Sequence, residues 1–555
     1  MDTEGLETGE RLVERLAAGG VEYVFATFGT DHPTLVKGLS RDAAPTTVLA
    51  SDETVAASAA HGYAQVTGDP QAVLVHVDVG TANLGPALHN ASRSHVPMLV
   101  LAGRTPLTTR GERPGSRSIF VHWYQDVYDQ QGLVREYANW TYELETGANV
   151  DRVLARAFDT AEGPPAGPSY LTLPREVLRE PAETSPDVGT GRRETAPATA
   201  SRETRERLLD LLDSAEDPLV VTSYLGREEA AVGTLVEFAE TVGVPVVEAA
   251  PAFDMNFPRD HPLHLGFGAE PWLDDADLVL VAACDVPWVP SRATPGEDAT
   301  VVHVDPDTEK GQYPLWDFRP DLAVRADPAT VLADLAARYE PGERTEDRTA
   351  RAAERHDALR ESWNDAVDDD PDRITPAVLS RAIGEAVGPE AVIVDETVTN
   401  TVSVLRHLER TEPGTYYSYC SSGLGWALGA SIGVKLARPD RTVVTTVGDG
   451  SFVFGNPLAA AATVRACGAP HLWVVYDNGG WRAVSDAVHD QYEDPDFLDD
   501  AFTRFDPSPD YAGAMAGMGC HAERVTEPED LAPALDRALE AVESGTHAVL
   551  DVAVE

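Results

Sequence analysis

Lysine is nearly missing from this chain: Lys37, Lys310 and Lys435 are all there is in 555 residues. Positive charge as a whole is scarce, with Lys+Arg 43 against Asp+Glu 92 and a formal net charge of -49. Such a surface repels phosphate backbones and anionic headgroups, so nucleic acid and membrane surfaces are excluded as partners. The acids are spread along the whole length rather than gathered in a tail, the pattern of a surface solvated in strong salt. A halophilic, salt-accumulating cytoplasm is the expectation, because the Debye length falls to about 3 Å at 1 M salt and self-repulsion is screened. Cysteine is equally sparse. Cys284, Cys420, Cys467 and Cys520 make no CxxC pair and no metal-ligand spacing, so reduced buried thiols are expected. No apolar run approaches the roughly 18 residues that cross a bilayer, and Met1-Asp2-Thr3-Glu4 opens no signal-type segment. The expected location is the cytoplasm.

What is present is an ordinary globular composition, 43% hydrophobic, long enough for about three domains. Pro181 to Arg202 lacks periodic apolar positions and reads as a linker. Tyr339 to Thr375 is a second, charge-dominated one, whose centre, Thr349 to Ala366, is compatible with an exposed helix; Asp368-Asp369-Asp370-Pro371 reads as a break. The blocks so delimited, 1–180, 203–338 and 372–555, each alternate short apolar strands with helical stretches. Strands are expected at Val21–Phe25, Ala72–Val77, Met98–Ala102 and Ser169–Leu173, then Leu219–Thr222, Val244–Glu248, Leu278–Ala282 and Val301–Val304. The last block offers Val392–Val394, Thr442–Val447, Leu472–Tyr476 and Ala548–Val552. The fold class is therefore α/β, three doubly wound domains with parallel sheets, the first and third sharing a fold.

Val447-Gly448-Asp449-Gly450-Ser451 closes one of these strands, and Asp477-Asn478-Gly479-Gly480 closes the next, about 26 residues further on. A helix, Pro457 to Ala466, lies between them. Asp449 and Asn478 thus sit at the carboxyl ends of two strands, where open parallel sheets bind ligands. A carboxylate, a carboxamide and a free carbonyl are hard oxygen donors suited to Mg²⁺ shared with phosphates. Gly450 permits close backbone approach, and a helix starting just beyond offers N–H groups to a diphosphate.

This pattern resembles the GDG…NN motif of thiamine diphosphate-dependent enzymes. A second segment, Asp52-Glu53-Thr54-Val55-Ala56-Ala57 through Gly62-Tyr63-Ala64 and Thr67-Gly68, resembles the helix that carries the family's activating glutamate, here Glu53. A glutamic acid on the aminopyrimidine ring favours loss of the thiazolium proton. Ser421-Ser422-Gly423-Leu424-Gly425 looks like the family's glycine-rich helix start, with Leu424 as the residue wedged under the bent cofactor. The resemblance implies thiamine diphosphate and Mg²⁺ as cofactors, held by Thr397, Thr399, Gly423, Leu424, Gly448, Asp449, Gly450, Ser451 and Asn478. Asp449, Asn478 and the carbonyl of Gly480 would be the metal ligands. One departure stands out: Asp477 replaces the usual first asparagine and adds a negative charge.

Phe25 to Pro33 follows the first strand and resembles the family's first active-site loop, so Thr30, Asp31 or His32 would face the substrate. His76 begins a segment similar to the family's strand–GTxN–helix (Gly80-Thr81-Ala82-Asn83) and falls where some family decarboxylases carry an active-site histidine. Glu53, His76 and His32 are the expected catalytic residues, ahead of His89, His95 and His122. Trp288, Trp481 and Gln125 are candidate lining residues. The blocks then correspond to a pyrimidine-binding domain, a central Rossmann-like domain and a diphosphate-binding domain. The string is closest in character to the acetolactate synthase and benzoylformate decarboxylase branch. It implies decarboxylation of a small 2-oxo acid, with carboligation as a further outcome. Thr54 and Gly479-Gly480-Trp481-Arg482 depart from typical acetolactate synthases, and the middle block does not support FAD. Because Glu53 and Asp449 lie in different blocks, the resemblance implies a homodimer or homotetramer with interface active sites. A non-catalytic scaffold of the same fold, a 2-hydroxyacyl-CoA lyase-type enzyme and an unrelated nucleotide-binding protein are the competing readings.

Overall fold

The computed structural model describes residues 5–555 apart from 184, 186–191, 194, 250–251, 369–372, 421, 494 and 496. Ser421 of the glycine-rich segment and the acidic break at 369–371 therefore lie outside the described residues, as does part of the first linker.

The first sheet contains β1 (Tyr23–Ala26), β2 (Thr46–Leu49), β3 (Gln71–Val75), β4 (Met98–Arg104), β5 (Trp140–Glu143) and β6 (Pro168–Pro174). Their order is β2-β1-β3-β4-β6-β5. The second contains β7 (Pro218–Thr222), β8 (Val246–Glu248), β9 (His264–Phe267), β10 (Leu278–Ala282), β11 (Thr300–Asp305) and β12 (Leu322–Arg325), in the order β12-β11-β10-β7-β8-β9. The third contains β13 (Val392–Glu396), β14 (Tyr416–Tyr417), β15 (Val443–Gly448), β16 (Leu472–Asp477), β17 (His521–Val525) and β18 (Ala548–Ala553). Its order, β14-β13-β15-β16-β18-β17, repeats that of the first sheet, as expected for a shared fold. The second has two halves diverging from the β7/β10 pair, the doubly wound dinucleotide-fold arrangement. Every ladder is parallel.

The inner strands coincide with the runs expected from sequence to within a few residues; β2, β5, β9, β12, β14 and β17, the sheet edges, are additional. The segment expected as a charged linker is more than that. Helix Glu343–Asp368 runs along the second domain, and buried Arg348 donates to the carbonyls of Val242 (3.2 Å) and Leu212 (2.9 Å).

Two helices position the site. Helix Glu53–Thr67, from the first domain, lies against helix Trp426–Ala437, from the third. Both are lined with Ala and Gly because the backbones nearly touch: a Cβ at Gly62 would fall 2.1 Å from the Ala430 carbonyl oxygen, and one at Gly433 would fall 1.9 Å from that of Ala59. Gln65 then reaches the carbonyls of Ser418 (2.9 Å) and Phe253 (3.3 Å) and the Asp254 carboxylate, tying all three domains together. Among the described residues no helix is long and apolar enough to cross a membrane.

Candidate active site

At the carboxyl ends of β1 and β3 two imidazoles, His32 and His76, converge on Asp31, which is 3% exposed. His76 Nδ1 donates to Asp31 Oδ1 at 2.6 Å, and His32 Nε2 lies 3.2 Å from Oδ2. Burial alone would push the Asp31 carboxyl up, but the hydrogen bonds and charges of both imidazoles hold it well below the usual carboxylate range. The same hydrogen bond raises the pKa of His76. His76 remains partly open to solvent, its Nδ1 committed to Asp31. Val77, directly after it, has φ of 29°, a left-handed conformation that is costly for a β-branched residue and that concentrates at functional sites.

His32 behaves differently from the sequence expectation. It is fully buried, and its Nδ1 accepts the Gly29 N–H at 3.1 Å, so it shapes the loop and cannot meet a substrate. Of the candidates Thr30, Asp31 and His32, Thr30 is exposed. His122 is buried and accepts from Ser118 N at 3.1 Å, and His95 bonds Asp285 of the central domain at 2.9 Å. Trp288 packs in the core of the second sheet, away from this cluster, whereas Gln125 lies beside His76.

Glu53 is held close by. Asp52 caps its helix, accepting from Thr54 N at 2.8 Å and Val55 N at 3.1 Å, which places Glu53 in the first turn. Its Oε2 accepts from Asn83 Nδ2 at 2.8 Å and its Oε1 from Thr27 Oγ1 at 3.3 Å. The Thr27–His32 loop thus touches both Glu53 and the Asp31–His76 pair. Asp52 Oδ2 also accepts from Asn456 Nδ2 at 3.3 Å, a contact with the third domain.

In the third domain Asp449 begins the short helix Asp449–Phe454 at the end of β15. Its Oδ1 accepts from Gly450 N and its Oδ2 from Gly480 N, both at 2.8 Å, which joins the two expected motif halves. Burial, with Asp477 nearby, raises the pKa of Asp449. The charge added at Asp477 is met by Arg524, whose Nη1 lies 2.9 Å from Asp477 and 2.6 Å from Asp551. Asp449 accepts from two backbone N–H groups with Asp477 beside it, and Asn478 is partly exposed, so a divalent ion sharing its shell with phosphate fits this oxygen donor set. Among the described residues no group of three His, Cys, Asp or Glu is placed to hold a metal ion.

Other expected binding residues are placed less simply. Thr397 is buried and its hydroxyl donates to Asp395 at 2.9 Å, so it has no hydroxyl to offer a diphosphate; Thr399 is exposed. Thr401, Thr446 and Tyr416 also donate to Asp395, which fixes the loop after β13 from beneath. Gly448 faces that loop, the Thr397 carbonyl oxygen lying 3.4 Å from its would-be Cβ. What comes close to Gly450 is the indole of Trp481, 2.3 Å from where a Cβ would be, in place of an open approach. Gly423 is bonded in both directions by Asn90, N to Oδ1 at 3.2 Å and O to Nδ2 at 2.7 Å. Leu424 is half-buried and Ser451 buried. Sequence reading assigns no separate role to Asn90, Arg524 or Glu396, although Glu396 stands in the Asp395–Thr399 segment after β13; tertiary contact gives each of them one.

Residues 6–133 match the family described as thiamine pyrophosphate enzyme, N-terminal TPP binding domain, residues 205–335 its central domain and residues 396–552 its C-terminal TPP binding domain. Benzoylformate decarboxylase of Pseudomonas aeruginosa is 27% identical over 541 residues, 95% of this chain and 96% of its own. Acetolactate synthase of Bacillus subtilis is 24% identical over 545 residues, covering 96% of this chain and 91% of its own. Among solved structures, the thiamine diphosphate-dependent 4-hydroxybenzoylformate decarboxylase of Rhodococcus jostii RHA1 superposes with a TM-score of 0.81 at 24% identity, over 99% of both chains.

Proposed function

This chain belongs to the thiamine pyrophosphate enzyme family, and we propose that within it the protein decarboxylates a small 2-oxo acid, with carboligation to a second carbonyl as the alternative fate. Relatives named as decarboxylase and as acetolactate synthase support both outcomes. The observation that carries the reading is the Thr27–His32 loop, which bonds Glu53 on one side and presents the Asp31–His76 pair on the other. Bound cofactor supplies the stabilised carbanion on which such reactions depend. Glu53 would present its carboxyl group to that cofactor, with Asn83 and Thr27 fixing its direction. His76, whose charged form Asp31 favours, would give or take a proton at Nε2 as the substrate changes charge.

Mg²⁺ is assigned to Asp449, Asn478 and the Gly480 carbonyl, holding the diphosphate in the third domain. A homodimer or homotetramer is assigned as well. Phe120 (78% exposed) and Tyr124 (84%) of the first domain, with Phe454 (58%) and Phe502 (69%) of the third, are large apolar side chains left open on a very acidic chain. Patches of that kind are covered in working assemblies. The working environment is a salt-rich cytoplasm.

The test is calorimetric titration with thiamine diphosphate and Mg²⁺ in molar KCl, followed by a CO₂-release screen over aliphatic and aromatic 2-oxo acids. Binding with CO₂ release from at least one acid is expected. No affinity for the cofactor in folded protein would overturn the proposal.

A further inference from the structure

Leu424 makes no hydrogen bond through its side chain, yet its position is narrowly determined, because both backbone neighbours are pinned. Gly423 is held from the first domain by Asn90. Gly425 is held by Glu396, at the end of β13, whose Oε1 accepts its N–H at 2.6 Å. The other oxygen of Glu396 accepts from Ala427 N, also at 2.6 Å. Tyr419 OH donates to Oε1 at 3.2 Å, and Ser451 adds its hydroxyl.

Helix Trp426–Ala437 needs such a partner. Its N-cap is Gly425, with φ of 90° and no side chain to accept the first free N–H groups. A residue with a Cβ is excluded there, since that atom would fall 2.5 Å from Gly455 N, at the end of the helix that Asp449 begins. The chain therefore gives up local capping to obtain a tight turn, and a remote carboxylate takes over. A carboxylate is well suited: it accepts two N–H bonds at once and complements the positive end of the helix.

We propose that Glu396 is a positioning residue for the cofactor, capping helix Trp426–Ala437 from another strand and so fixing the Leu424 turn against the Asp449–Phe454 helix. The proposal rests on the cofactor reading above and adds to it a residue that never touches the reacting atoms. Glu396 is 2% exposed and joins three segments of the cradle: the strand leading to Thr397, the Tyr419–Ala427 turn and the helix containing Ser451. Burial pushes its carboxyl up to about 8, while the backbone N–H groups of Ala427 and Gly425 and the hydroxyls of Tyr419 and Ser451 pull the other way, toward the charged form. A group that is costly to bury and carries so many bonds is placed for geometry rather than for packing.

The test is a cycle of Glu396→Gln, Leu424→Ala and the double variant. Glutamine keeps the shape but offers an N–H₂ where one backbone N–H needs an acceptor. Wild-type protein is titrated first with thiamine diphosphate and Mg²⁺; no binding there overturns the cofactor reading itself. In E396Q, secondary structure is expected to persist, while the near-ultraviolet dichroism of the apo protein changes because Trp426 stacks on Tyr419 with centroids 5.1 Å apart. Cofactor Kd should rise on the order of tenfold, the size of one lost charge-assisted hydrogen bond, and kcat should fall more than KM rises. The double variant should bind no more weakly than L424A alone. A wild-type Kd in E396Q, or losses that simply add in the double variant, would overturn the proposal. If E396Q does not fold, Asn90→Ala carries the same test from the Gly423 side, and an unchanged Kd there overturns it equally.

Discussion

His76 Nδ1 stands 2.6 Å from Asp31 Oδ1, and that one contact decides which way the imidazole faces. With Nδ1 committed, Nε2 is the nitrogen left for chemistry. The pair has a defined pH window. Asp31 is depressed in the fold, so its contribution is present above the unfolded carboxylate value and lost as pH falls through its folded value. His76 is raised, so its contribution is complete below the unfolded imidazole value, about 6.5, and lost as pH rises through the folded one. Asp31→Asn should therefore move the alkaline limb of the kcat/KM profile to lower pH. An unmoved limb would detach Asp31 from the titration of His76.

Glu53→Gln keeps a side chain that Asn83 and Thr27 can still bond but removes the acid. Cofactor Kd should change little, while turnover drops by about 100-fold or more, the usual scale for a general acid–base group. Parallel calorimetry and CO₂ release on the same preparation decide it. Full activity would take Glu53 out of the mechanism.

Asp449→Asn separates stability from function. The folded-state pKa of Asp449 is raised, chiefly by burial, so the apo fold loses stability as pH rises from the unfolded carboxylate value through the folded one. Removing the charge should leave the apo variant at least as stable as wild type at pH 8 in thermal melts. The rise in Tm that Mg²⁺ and thiamine diphosphate give wild type should be absent. A retained ligand-induced rise would move the metal elsewhere.

Gly62→Ala probes the seam between the first and third domains. Its Cβ would fall 2.1 Å from backbone at Ala430, so the helices must separate, at a cost of about 1–3 kcal/mol. Because the two helices belong to the two cofactor-binding domains, denaturant melts should register the loss in stability and calorimetry a weaker cofactor Kd. A fully wild-type profile would mean the seam is looser than its spacing implies.

The strands that sequence reading located and those it missed divide along a physical line. Inner strands such as β4 and β16 are buried on both faces and read as unbroken apolar runs. Edge strands such as β2, with Thr46, Thr47 and Leu49 exposed, or β5, half-buried throughout, carry no such run. Their strand state is conferred by the neighbour they pair with. The proposed site residues divide in the same way. Asp449, Glu53 and His76 stand in motifs with the spacing their chemistry requires. Asn90 and Glu396 act on backbone groups roughly 330 and 30 residues away, and nothing local marks them.

Composition and apolar periodicity were thus sufficient for the α/β class and the three-domain plan, and resemblance of local motifs for the coenzyme family, because those depend on local chemistry repeated along the chain. Tertiary structure alone decided that His32 is a loop brace, that the Thr397 hydroxyl is already committed to Asp395, that Trp481 lies over Gly450 and that Arg524 answers the charge of Asp477. Each of those outcomes turns on which atom lies within about 3 Å of another, and hydrogen bonds and ion pairs are set by that distance whatever the separation along the chain.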